Sequence, residues 1–109
     1  MPQAEYSIAV TTTDSEALAS LIAADLVERR LAACVQVDAI RSFYRWDGEV
    51  RDEPENRLTI KCRTADFAEV ERRITELHTY DLPEVVRMPI DGASAAYLGW
   101  LESETSRPR

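Results

Sequence analysis

The chain predicts an α+β fold: a βαββαβ order of elements, one antiparallel sheet with helices on one face, and a C-terminal helix. Three observations carry this. Residues 31–64 read as two long arms folded about Trp46-Asp47-Gly48. Asp-Gly between strand-like flanks is a strong hairpin signal, because both turn residues need positive φ and these two tolerate it best. On the return arm Leu58, Ile60 and Cys62 alternate with Arg57, Thr59, Lys61 and Arg63, the period of a strand with one apolar face. Finally, one segment of helical spacing precedes the hairpin and another follows it, each with an apolar stripe for one face of a sheet.

The elements follow in order. Tyr6, Ile8, Val10 and Thr12 alternate with Ser7, Ala9 and Thr11, which gives a strand over residues 5–12. Thr13 or Asp14 caps the next helix, and Thr13 with Glu16 fits a capping box. Leu18, Leu21, Ile22 and Leu26 then recur at helical spacing. After the hairpin a second helix starts near Asp66, with Glu69 three residues on and a stripe of Phe67, Val70, Ile74 and Leu77. Pro83 stops its continuation, since it lacks a donor and restricts the residue before it. Val85 to Ile90 reads as a short last strand, and Ser94 caps a final helix carrying Tyr97, Leu98, Trp100 and Leu101. This is the split-βαβ, ferredoxin-like pattern. Each hairpin arm has roughly 15 residues, against a usual strand of about 5–6. A small domain cannot cover so long a ribbon from within, so another copy of the chain is expected to cover it.

The 109 residues suffice for one domain with one core, residues 1–109, with 105–109 as a loose tail. With 30% charged and 45% hydrophobic residues the chain is globular. No apolar run approaches the roughly 18 residues of a membrane span, so no membrane partner is expected. Met1-Pro2-Gln3-Ala4-Glu5 has neither a basic nor a long apolar region, and a cytoplasmic location is expected. A net charge of −7, with arginines scattered among twenty acids, argues against nucleic acid as partner. Two cysteines make no disulfide framework.

Candidates for chemistry are few. His78, the only histidine, could ligate a metal or serve as an acid–base group. Its spacing alone favours a helix-terminal histidine suited to the macrodipole. Cys34 could be a thiolate ligand, but a lone cysteine among alanines and valines is more often a small buried hydrophobe. Cys62, in phase with Leu58 and Ile60, reads as core. No Cys-x-x-Cys or His-x-x-x-His spacing supports a dedicated zinc site. Lys61, the only lysine beside twelve arginines, faces away from Leu58 and Ile60 and could bind an anion. Trp46, Trp100, Tyr44, Tyr80 and Tyr97 are candidate cleft walls or interface anchors. Glu84, Asp81, Glu53 and Glu55 could bind cations, although acids beside prolines are usually solvated turns. No phosphate loop, nucleophile elbow or metalloprotease motif is present.

Several segments together resemble the CutA divalent-cation tolerance family. They are Val10-Thr11-Thr12-x-Asp14, Arg30-Leu31-Ala32-Ala33-Cys34-Val35, Ser42-x-Tyr44-x-Trp46-x-Gly48, Ile60-Lys61, His78-x-Tyr80-x-x-Pro83-Glu84 and Tyr97-Leu98-x-Trp100. The likeness covers residues 5–102 in the family's order and spacing. It implies a tight homotrimer whose hairpins wrap neighbouring subunits. It implies a role in tolerance of copper and other divalent cations, with no catalytic reaction. Some members have a proposed copper site of two cysteines and a histidine. Cys34 and His78 match two of these positions, while Val10, with no donor atom, stands at the third. At most a weakly bound divalent metal ion is then expected, and no other cofactor. The alternative is a PII-like regulatory sensor that binds a small molecule in clefts between subunits. That cleft would lie near Lys61, Trp46, Tyr80, Glu84 and Glu55, with Glu84 or Glu55 as the counter-charge of Lys61.

Overall fold

The computed structural model describes residues 4–108. Four strands and three helices follow in chain order: β1 (Tyr6–Thr13), α1 (Glu16–Glu28), β2 (Cys34–Trp46), β3 (Glu49–Arg63), α2 (Phe67–Leu77), β4 (Val86–Pro89) and α3 (Ala95–Glu104). The sheet order is β2-β3-β1-β4, and every neighbouring pair is antiparallel. This is the expected βαββαβ arrangement.

The hairpin follows from its turn. Asp47 and Gly48 take φ of 51° and 75°, the left-handed conformation that the twist of paired strands requires of a two-residue turn. Pairing then runs without interruption from Trp46↔Glu49 to Cys34↔Lys61. Opposite charges face each other along it: Arg41 pairs with Asp52 at 2.6 Å and Arg57 with Asp38 at 2.9 Å. The ribbon stretches the molecule to 44 × 30 × 22 Å. Its radius of gyration, 14.6 Å, exceeds the roughly 13 Å expected of a compact domain this long.

The core lies between one face of the sheet and helices α1 and α2. Ala9, Leu58, Ile60 and Cys62 from the sheet meet Ala19, Ile22 and Leu26 of α1 and Val70 and Ile74 of α2. Burying a leucine or isoleucine contributes about 1.5–3 kcal/mol, so this cluster is the main stabilising element. The opposite face carries Ile8, Val10, Thr59, Lys61, Cys34, Val86 and Met88, all of them at least partly exposed. At one end of that face stands α3, held by Arg63, which donates to the Thr105 hydroxyl and the Glu102 carbonyl, both at 2.8 Å.

Three local expectations are corrected. The α1 cap is Ser15, whose Oγ accepts from the Leu18 amide at 3.1 Å, and not Thr13 or Asp14. Thr13 is still paired in β1, opposite Asn56, and its hydroxyl accepts from the Ser15 amide. Leu21 is 51% exposed and lies off the buried stripe of Ala19, Ile22 and Leu26. The start of the second helix near Asp66 holds: a 3-10 turn over Thr64–Asp66 leads into α2, and the Asp66 carboxylate meets Arg107 at 3.0 Å. For that reason the tail is anchored as far as Arg107, which also donates to the Arg30 carbonyl. Arg109 lies outside the described residues.

Candidate functional site

The site is built from His78 outward. This residue ends α2, and both of its ring nitrogens are engaged. Nε2 lies 2.7 Å from the Thr12 carbonyl oxygen. A carbonyl can only accept, so Nε2 carries the proton and donates. Nδ1 is then the acceptor, and it receives the Tyr80 amide at 3.1 Å. The imidazole thus pins the loop after α2 to β1. Its ring also packs on that of Tyr80, with centroids 4.7 Å apart.

Tyr80, held in this way, reaches the hairpin. Its hydroxyl donates to Glu55 Oε2 at 2.8 Å. Burial, and then the bond to Glu55, raise the Tyr80 pKa, so the phenol stays a donor at any neutral pH. Between loop and ribbon lies a cleft of about 560 Å³. Phe43, Tyr44 and Trp46 line it from β2, Glu55 from β3, and Tyr80, Asp81, Leu82 and Glu84 from the loop. The Tyr44 pKa is also raised, first by desolvation and then by Glu53 and Glu55. The lining of the cleft thus combines aromatic rings with the carboxylates of Glu55, Asp81 and Glu84.

Trp46, Tyr80, Glu84 and Glu55 are brought together here, within one chain. Lys61 is not. It lies six residues along β3 from Glu55, about 20 Å at the rise of a strand. Its Nζ sits 5.2 Å from the centroid of the Tyr97 ring, so a cation–π contact takes the place of the expected Glu84 or Glu55 counter-charge. Cys34 is the cross-strand partner of Lys61 and is half-buried. His78 holds Thr12, whereas Lys61 faces Ile8, four residues back along β1. The register thus separates Cys34 from His78 by roughly 13 Å along the strand direction. Cys62 is buried, and desolvation pushes its thiol pKa up to about 12. Among the described residues no group of three His, Cys, Asp or Glu side chains could hold a metal ion.

Several contributors escaped the sequence, Leu82 among them. Phe43 has the opposite strand phase to Tyr44 and Trp46, yet it also lines the cleft. The Thr12 carbonyl, the anchor of His78, is a backbone group with no signature in sequence.

Comparison with known proteins gives the kinship. The model of the CutA1 divalent ion tolerance protein family matches residues 7–104. The chain belongs to this family. The divalent-cation tolerance protein CutA of Thermus thermophilus is 42% identical over 99 residues, which is 90% of this chain and 96% of that protein. The crystal structure of CutA1 from the psychrotrophic bacterium Shewanella sp. SIB1 superposes with a TM-score of 0.90 at 36% identity, covering 94% of this chain and 97% of that one. A solved structure from Archaeoglobus fulgidus, described as a periplasmic divalent cation tolerance protein, gives a TM-score of 0.90 at 31% identity, over 93% of this chain and 99% of that one. Family membership therefore leaves the cytoplasmic expectation open. No helix of the described residues is long and apolar enough to cross a membrane.

Proposed function

We propose that this CutA1 family member is a non-enzymatic, cytoplasmic homotrimer that acts in tolerance of divalent cations, copper among them. The observation that carries the assembly is the hairpin. Val50 is 66% exposed, Phe43 64% and Trp46 41%, on a ribbon that its own core leaves uncovered. A second copy covering this surface removes the cost of exposed apolar area and of an open strand edge. In this reading a divalent ion is bound only weakly. A metal at His78 must first displace its bond to Thr12 or to Tyr80, and among the described residues Cys34 belongs to no cluster of three donors. Donors from neighbouring subunits would have to complete the shell. The carboxylates of the cleft add long-range attraction for cations.

The PII-like alternative has its own support. A cleft of about 560 Å³ with aromatic walls and a few fixed polar groups falls in the size range of small-molecule sites, about 300–1,000 Å³. Light scattering at micromolar concentration tests the assembly; a monomeric mass would sink the trimer. Trp46→Ala is expected to cost about 2 kcal/mol or more of association energy, as interface tryptophans often do. Calorimetric titration with cupric ion tests the metal. Tight stoichiometric binding that survives both His78→Ala and Cys34→Ser would place the metal elsewhere.

A further inference from the structure

Helix α3 is held to the rest of the molecule chiefly at its C-terminal end. Of its ten residues only Leu101 is fully buried, while α1 buries Ala19, Ile22 and Leu26. A helix this short is marginal on its own in water. The last four carbonyls of any helix lack partners within it, and α3 has no basic residue in its last turn. Arginines from three other places supply the donors. Arg63 of β3 donates to the Glu102 carbonyl at 2.8 Å. Arg30, two residues past α1, donates to those of Ser103 at 3.5 Å and Glu104 at 3.2 Å. Arg107 of the tail donates to that of Thr105 at 3.4 Å. The clasp is reciprocal, since Arg107 also donates to the Arg30 carbonyl at 3.1 Å and pairs with Asp66 at 3.0 Å. Arg30 holds φ of 59°, left-handed for a residue other than glycine, with its guanidinium turned to α3.

The other end of α3 is free to turn. The Ile90 amide donates to the Tyr6 carbonyl at 2.9 Å, and the next four residues, Asp91, Gly92, Ala93 and Ser94, are all exposed. What α3 covers is Lys61, the only lysine of the chain, whose Nζ lies 5.2 Å from the centroid of the Tyr97 ring. Segments with few buried apolar contacts and exposed hydrogen bonds open below the free energy of global unfolding. We infer that α3 is a lid over Lys61, hinged at residues 91–94 and latched by Arg30, Arg63 and Arg107. When it lifts, the core between the sheet and helices α1 and α2 stays closed, and the Lys61 amine is released from Tyr97 to meet a solute. The lid stands apart from the Tyr80 cleft, because Lys61 lies about 20 Å along β3 from Glu55. A neighbouring copy packed on α3 would pin it, and that is one outcome of the test.

Hydrogen exchange on the assembled protein, followed residue by residue in low urea, tests the lid. The Leu98 and Thr105 amides, which close the first and last turns of α3, should exchange about a hundredfold faster or more than the Ile22 amide of α1. Equal protection in the two helices overturns the lid, and it is the result that a neighbour pinning α3 would give. Asparagine tolerates the left-handed region, so Arg30→Asn removes the latch and keeps the backbone. It should speed exchange in α3 about tenfold and leave Ile22 unchanged. Equal acceleration at Ile22 would mean that Arg30 stabilises the whole fold, and would also overturn the inference. Acetylation of amines, read by peptide mass spectrometry, then reports what the lid covers. In Arg30→Asn the Lys61 amine should be labelled about tenfold faster, with the N-terminal amine as an unchanged internal standard. Lys61 labelling that does not follow α3 exchange would show that another group covers it, and the gating would fall.

Discussion

Replacing His78 tests the junction on which the cleft depends. His78→Ala removes two hydrogen bonds, one to the Thr12 carbonyl and one from the Tyr80 amide, together with the ring contact to Tyr80. Neutral hydrogen bonds contribute about 0.5–1.5 kcal/mol each, and an aromatic pair adds about 0.5–1.5 kcal/mol. Thr12 is 5% exposed, so its carbonyl would lose its donor with little water to replace it. The expected destabilisation is about 2–4 kcal/mol. Urea denaturation at fixed protein concentration reads it, because an assembling protein has a concentration-dependent midpoint. Two further variants divide the effect. The Asn side chain places an oxygen near the Nδ1 position, and Gln places an NH₂ near Nε2. His78→Asn should recover the bond from Tyr80, and His78→Gln the bond to Thr12, each about 1 kcal/mol. The Tyr80 amide, released from Nδ1 in the alanine variant, should also exchange faster. A loss below about 0.5 kcal/mol, or equal losses in all three variants, would refute the two-bond anchor.

Other contacts in the molecule carry consequences of the same kind. The Asp25 pKa is held down by its bond to Arg73, with Arg29 assisting against the cost of burial. A carboxylate with a folded pKa below its unfolded value contributes fully above the unfolded value, near pH 4, and loses that contribution as pH falls through the folded value. Arg73→Met should therefore destabilise the protein at pH 6 and reduce the steepness of its acid unfolding below pH 4; an unchanged acid limb would refute this. In a Cys34→Ser background, Cys62 should resist iodoacetamide at pH 8 until the protein is unfolded, as a buried thiol of pKa about 12 requires. Rapid labelling of the native protein, read by mass spectrometry, would contradict its place in the core. Arg107→Ala should loosen the tail and expose Asp66, seen as faster proteolysis after residue 105; unchanged cleavage would show that the ion pair does not anchor the tail.

Much of this was legible because it is local. The alternation of Leu58, Ile60 and Cys62 identifies the buried face of β3, since period two leaves a single choice of face. Asp47-Gly48 identifies the turn by its chemistry, and the structure gives both residues positive φ. Ser94 was readable as a cap, and its Oγ accepts from the Tyr97 amide at 3.2 Å. The start of α1 was not, because Thr13, Asp14 and Ser15 are all capping residues in a row. Strand pairing with Asn56 decided among them by keeping Thr13 in β1. Leu21 was misplaced for a related reason. Apolar residues cover most of the circumference of α1, and only contact with the sheet selects Ala19, Ile22 and Leu26.

The sequence by itself determined the order of elements, the hairpin and its turn, the core face of each strand, and the likeness to the CutA family. It also named Trp46, Tyr80, Glu84 and Glu55 as candidates. Only the tertiary structure decided which candidates share a space. Register carried Lys61 and Cys34 to one end of the sheet and left Glu55 towards the other, a separation that no local pattern contains. It also set His78 against a backbone carbonyl of Thr12, 66 residues away in sequence. Periodicity is imposed by the backbone over a few residues and can be read from them. Convergence depends on how strands align over the whole chain, and a side chain meets its partner only where that alignment brings it.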